Sequence, residues 1–167
     1  MSVTLIPMSA TEYPVFLESS IKSYAESGVK SGRWTAGEAL SQSRQQLTSL
    51  LKNGVSTEDQ YLLKIIVTET GQNVGHIWLH CPSDKRFCFI YELYISENHR
   101  RCGFAQSAML KAEEFAASKG ATKLELHVFN FNKEAQALYQ KLGFNTFSLN
   151  MRKEITPTHE PNTICNN

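Results

Sequence analysis

Charge of one sign is what this sequence has least of: 17 Lys and Arg stand against 16 Asp and Glu, a formal net charge of +1. No large field of either sign is available to draw the chain to nucleic acid or to an anionic membrane. A long hydrophobic run is also missing, since no stretch approaches the roughly 18 apolar residues that a membrane-spanning helix needs. Met1 to Pro7 lacks the basic start and extended apolar centre of a signal peptide. These absences lead us to expect a cytoplasmic protein with a small-molecule partner, and neither a nucleic-acid nor a membrane one. Cysteine is sparse as well, at Cys81, Cys88, Cys102 and Cys165, with no CxxC spacing. Reduced thiols are therefore expected, with no metal site and no disulfide framework. Internal repeats and low-complexity segments are absent, and 167 residues suffice for one domain with a continuous core.

What is present is a change of rhythm halfway along the chain. Val3 to Pro7 reads as a short edge strand, and Thr11 can cap a helix whose apolar side carries Tyr13, Phe16 and Tyr24. Pro14 falls in its first turn, where a missing N–H does no harm. Thr35 and Glu38 match a capping box for a second helix bearing Leu40, Leu47 and Leu51. Tyr61 to Thr70 and Val74 to Cys81, separated by Gly71-Gln72-Asn73, predict a β-hairpin. Phe87 to Ile95 is apolar and aromatic throughout except at Glu92, as a central strand covered on both faces would be.

Beyond that strand, helices and strands alternate. Ala105, Ala108, Met109, Ala112 and Ala116 share one face of a helix ending at Gly120. Leu124 to Phe129 predicts a strand, and Asn132 can cap a helix bearing Ala135, Leu138, Tyr139 and Leu142, which Gly143 stops. Phe144 to Met151 alternates as a last strand. Antiparallel hairpins followed by a βαβα unit imply an α/β protein with a mixed sheet and helices on both faces.

The run from Ile95 to Ala105 joins the central strand to the alanine-rich helix. Such a loop aims unpaired backbone N–H groups and the positive end of a helix dipole at one spot, which suits a pyrophosphate. Gly103 allows close approach or a positive φ, Ala105 keeps the first turn small, and Arg100 and Arg101 add cationic donors. An ordinary solvated turn fits the same residues.

Two motifs resemble the GNAT superfamily of acyl-coenzyme A N-acyltransferases. Arg100-x-x-Gly103-x-Ala105 is similar to its Q/R-x-x-G-x-G/A signature, and Asn132-x-x-Ala135-x-x-Leu138-Tyr139-x-x-Leu142-Gly143-Phe144 is similar to its second pattern. The chain looks most like bacillus-type members, with Glu97 where proline is frequent and Arg101 where glycine is frequent. The resemblance implies one acetyltransferase domain over 1–153 with a polar tail over 154–167. It implies a mostly antiparallel sheet of six or seven strands with a central splay, acting as monomer or homodimer. Acetyl-CoA would be the cosubstrate, without a metal, and an amine on a small molecule or peptide the acceptor. The pantetheine arm would pair with Leu93, Tyr94 and Ile95. The pyrophosphate would sit on the amides of Arg101, Cys102, Gly103, Phe104 and Ala105 beside Arg100, and Asn132 and Ala135 would contact the arm from the other side.

Alkyl amines are mostly protonated near neutral pH, so acetyl transfer needs a base. Glu92, an acid in an apolar strand, is the leading candidate, with a paired structural carboxylate as the alternative. His127 is a second candidate, or else a hydrogen-bonded core histidine. Tyr139 stands in the family's Leu-Tyr pair, which implies a general acid toward the departing thiolate; on spacing alone a core aromatic is the better reading. Tyr24 and Trp34 either shape an acceptor wall formed by Gly28 to Trp34 or belong to the core. A domain that binds acyl-CoA without turnover, and an unrelated mononucleotide-binding fold, are the competing readings.

Overall fold

The structure is a computed structural model describing residues 2–155. Five strands form one sheet in the order β1 to β5: β1 (Val3–Pro7), β2 (Gln60–Val67), β3 (Asn73–His80), β4 (Phe87–Ile95) and β5 (Lys123–Leu126). The first four are antiparallel neighbours, and β5 runs parallel to β4. Four helices cover it: α1 (Tyr13–Lys30), α2 (Ala39–Leu50), α3 (Phe104–Ser118) and α4 (Lys133–Lys141).

Alternation along the strands sorts the core into two layers. Leu63, Ile65, Ile77, Leu79, Cys88 and Ile90 meet the small face of α3, where Ala108 and Ala112 are fully buried and let the helix lie close to the sheet. Tyr139 and Leu142 of α4 pack on the same layer. On the opposite face Leu62 and Trp78 meet Phe16 and Ile21 of α1 and Leu47 of α2. The expected apolar stripe of the second helix holds at Leu47 and at Leu51 just beyond its end, whereas Leu40 is exposed.

Helix starts are set by carboxylates. The amide of Thr35 donates to Glu38 at 2.9 Å, half of the expected capping box. At α1 the expected cap Thr11 is displaced: Glu12 precedes the helix, and its carboxylate accepts from the Ser9 amide at 2.9 Å and from Lys64 at 2.8 Å. Those donors hold the Glu12 carboxyl at about 2, well below its ordinary value, with the Lys64 hydrogen bond the largest cause.

Three expectations need correction. Among the described residues the sheet has five strands rather than six or seven. The predicted strand over Phe144 to Met151 does not form, and Phe147, Leu149 and Met151 are exposed. The reason lies in β5, which ends at Leu126 instead of Phe129 and offers a further strand an edge only four residues long. Cys81 and Cys88 are bonded to each other rather than free thiols. Hairpin register explains it: His80 pairs with Phe89, so Cys81 and Cys88 are the next residues across the same turn, a proximity that no local spacing reveals. Cys102 is free and exposed, whereas Cys165 and most of the expected tail lie outside the described residues.

Candidate active site

A bulge in β4 creates the site. Trp78 pairs with Glu92, but the next residue of β3, Leu79, pairs with Ile90, so Tyr91 is an extra residue. One inserted residue reverses the faces of everything after it. Cys88 and Ile90 point into the α3 layer; without the bulge Glu92 would follow them into that apolar core. Instead Leu93 and Ile95 pack there, and Glu92 emerges beneath α1, where the Ser20 hydroxyl donates to its Oε2 at 2.5 Å. Ser20 is itself buried.

The sheet opens just past the same point. Pairing between β4 and β5 stops at Ile90 with Leu126, while β4 continues to Ile95 bonded only to β3. Leu93, Tyr94 and Ile95 therefore border a gap on the β5 side. Gly75, opposite Ile95, is required here because a Cβ would collide with the Tyr94 carbonyl oxygen.

At the mouth of the gap a short turn, Glu97–His99, leads into the loop before α3. Arg101 (φ 60°) and Gly103 (φ 81°) both take left-handed backbone, and the chain is thereby wound so that none of the amides from Arg101 to Ala105 donates to another group among the described residues. Five successive amides without a partner thus lie at the start of a 15-residue helix, an arrangement chemically suited to an anion. A Cβ on Gly103 would meet no protein atom within 4 Å, so the space above it is open. The two arginines are oriented by local partners: Arg100 Nε donates to the Ile95 carbonyl at 3.1 Å, and Arg101 Nη2 to Glu134 at 2.9 Å. Cys102 is exposed beside them.

The far wall comes from α4. Asn132 caps the helix by accepting from the Ala135 amide at 3.3 Å, as its position implied. Tyr139 is partly buried against Phe144, with ring centroids 5.7 Å apart. Its hydroxyl has no hydrogen-bond partner among the described residues and is not sealed from solvent. Burial pushes the phenol above its ordinary value, which keeps it protonated at working pH. His127 is not a strand or core residue: it lies one position past β5 and is exposed, touching Phe129 edge-on at 5.0 Å. It makes no hydrogen bond to Glu92 or Tyr139.

Tyr24 and Trp34 pack edge to face at 5.1 Å, and Tyr24 is also bonded to Arg33 and Gln46. The ring of Trp34 occupies the space that a Cβ on Gly28 would need. Two residues of this neighbourhood escape the sequence reading, Ser20 and His76. A small polar residue within a helix carries no signal, whereas His76, polar in the strand Val74-Gly75-His76-Ile77-Trp78, carries a weak one.

A profile of the acetyltransferase (GNAT) family matches residues 31–144, which include the bulged strand, the amide-rich loop and the α4 wall. The chain belongs to this family. Two relatives in Bacillus subtilis (strain 168), the uncharacterized N-acetyltransferases YdgE and YycN, are 33% and 34% identical to it over 157 residues. Each alignment covers 93% of this chain, with 99% of YdgE and 100% of YycN. The crystal structure of YycN superposes with a TM-score of 0.88 at 33% identity, covering 93% of this chain and all of that one. The acetyltransferase thus has the fold of its family, and members of that family use acetyl-CoA as cosubstrate.

Proposed function

We propose that this acetyltransferase moves an acetyl group from acetyl-CoA to a primary amine by direct attack within a ternary complex. The observation that carries the reading is the set of five partnerless amides at the mouth of the splay, a fit for a pyrophosphate that the open space over Gly103 completes. In this reading the amides of Arg101 to Ala105 hold the pyrophosphate with Arg100 alongside. The free edge of Leu93, Tyr94 and Ile95 bonds the pantetheine arm, and Asn132 and Ala135 border it from α4.

Acetyl-CoA supplies an activated acyl carbon and a thiolate leaving group; the chain supplies proton handling. Glu92 Oε2 is held by Ser20 while Oε1 has no partner among the described residues and is open, so Oε1 takes the proton that the amine sheds as its nitrogen bonds to the acyl carbon. As the C–S bond breaks, the Tyr139 hydroxyl gives its proton to sulfur and is reprotonated from solvent. The products are an N-acetyl amide and free coenzyme A. His127, exposed and hydrogen-bonded to neither Glu92 nor Tyr139, is the alternative base.

Incubation with acetyl-CoA and a panel of amines, read as free thiol released, tests the proposal. Amine-dependent release is the expected result. Tight acetyl-CoA binding with no release for any amine would mark a sensor and overturn it.

A further inference from the structure

The mechanism leaves one buried titratable group unused. His76 in β3 lies under α1 with its side chain only 13% exposed, and its Nε2 is sealed from solvent without a hydrogen-bond partner. A buried ring nitrogen left unpaired is costly and calls for a reason. That nitrogen is 3.5 Å from Glu92 Oε2. Its other nitrogen, Nδ1, has no partner among the described residues either but is not sealed, so the ring reaches from the carboxylate at one end to solvent at the other.

The ring cannot turn away. It stacks on Tyr94, centroids 5.1 Å apart at 22°, and Phe16 meets it edge-on at 4.9 Å. Every titratable or charged neighbour is accounted for. On β2 Lys64 stands opposite His76 in register, but its Nζ is bound to Glu12. On β4 the neighbours are Tyr94 and Glu92, and α1 presents Phe16 and the hydroxyl of Ser20, which is committed to Glu92. His76 is thus the basic group left facing the carboxylate.

We propose that His76 is a positioning residue that draws the amine's proton off Glu92 and passes it to solvent, an inference that rests on the proposed role of Glu92. The amine's proton arrives on the Glu92 carboxylate. The carboxyl turns its protonated oxygen to His76, which accepts the proton at Nε2, becomes imidazolium, and releases a proton from Nδ1 to water; after the products leave, the Nε2 proton returns through Glu92 to water entering the cleft while Nδ1 regains one from solvent, which restores the starting tautomer. No oxidant, metal or further reactant is needed. The 3.5 Å gap closes to a hydrogen bond once the amine fills the cleft, since catalytic hydrogen bonds are commonly long in the empty site.

The test compares pH profiles of kcat/KM for wild type, Glu92→Gln, His76→Phe and His76→Gln, with acetyl-CoA affinity and Tm as checks on folding. His76→Phe keeps the aromatic stack and loses both nitrogens; His76→Gln keeps polarity and loses titration. Both should lower the plateau about ten-fold, toward the small end of acid–base effects. Both should also move the acid limb to lower pH, because protonation of the imidazole no longer blocks the transfer. A wild-type plateau, or a lowered plateau with the acid limb in its wild-type place, would reduce His76 to packing. A measurement on unaltered His76 guards against unstable variants: its imidazole titration, followed by NMR, should move in Glu92→Gln, and an unmoved titration overturns the proposal. Wild-type rates in Glu92→Gln would instead remove the base itself, whereas an impaired Glu92→Gln beside a normal His76→Phe removes only the relay.

Discussion

Arg101 and Glu134 reach across the mouth of the cleft, Nη2 to Oε1 at 2.9 Å, and tie the loop before α3 to the start of α4. Both side chains are more than four-fifths exposed, so the pair is screened by salt and contributes little to stability. If the loop holds a pyrophosphate as proposed, its effect falls there, because the carboxylate occupies a guanidinium that would otherwise face a phosphate. Glu134→Gln should tighten acetyl-CoA binding by about two- to five-fold at low ionic strength and leave it unchanged at high salt. Calorimetric titration at two salt concentrations checks this.

Gly103 is required for its backbone and not for room within the protein. At φ 81° a β-branched residue is strained, and the added side chain would point into the open space above the amides. Gly103→Val should weaken acetyl-CoA binding by at least about ten-fold, the equivalent of the lower strain costs for such backbone. Gly103→Asn, a side chain that tolerates left-handed backbone, should lose less. Equal affinities for both variants and wild type would remove the pyrophosphate from this loop.

Glu92→Gln retains the hydrogen bond from Ser20 and loses the proton acceptor. Turnover should fall by about 100-fold or more where the amine is mostly protonated and recover partly as pH rises, while acetyl-CoA affinity stays near wild type. Initial rates across pH, with affinity measured separately, check it. A profile parallel to that of wild type would leave Glu92 a structural acid.

Tyr139→Phe removes a hydroxyl that bonds to nothing among the described residues, so folding and cofactor affinity should be unchanged. Because burial raises the phenol, the wild-type residue stays protonated across the working range and its loss should be felt at every pH there. Turnover is expected to drop about 10- to 1,000-fold under conditions where chemistry limits the rate. An unchanged rate under those conditions would mean that solvent protonates the thiolate.

Glu12 ties α1 to β2 through Lys64, and its lowered carboxyl gives that contact a pH signature. A depressed folded-state value means the contribution is complete above the ordinary value of 4.5 and is lost as pH falls toward about 2. Glu12→Gln should therefore lower Tm at neutral pH, and its difference from wild type should shrink over that acid window. Thermal scans of both proteins between pH 7 and pH 2 check it.

Much of the frame was legible because local rules dictate it. The bounds of β4, the cap at Asn132, the parallel β5 and the glycine at the loop all follow from alternation, capping and turn chemistry. What was not legible depends on register. The extra residue at Tyr91 turns Glu92 out of the core, and only pairing with β3 discloses it. The same pairing joins Cys81 to Cys88 and sets His76 beside Glu92 on the neighbouring strand. The expected last strand shows the converse: alternation at Phe147, Leu149 and Met151 was real, but alternation creates a strand only where an edge is long enough to receive it.

The contact between Gly28 and Trp34 has a consequence for how this enzyme can diversify. The indole sits where a methyl group on residue 28 would be, so the turn after α1 is keyed to the helix by a missing atom. Val29 is exposed and can vary in character without disturbing that key, whereas Arg33 donates to Tyr24 and lies over the Trp34 ring. A change at residue 28 to anything larger expels the indole and releases the whole turn at once. Variation among descendants of this chain is thus channelled: gradual at the turn's exposed positions, abrupt at the glycine beneath it.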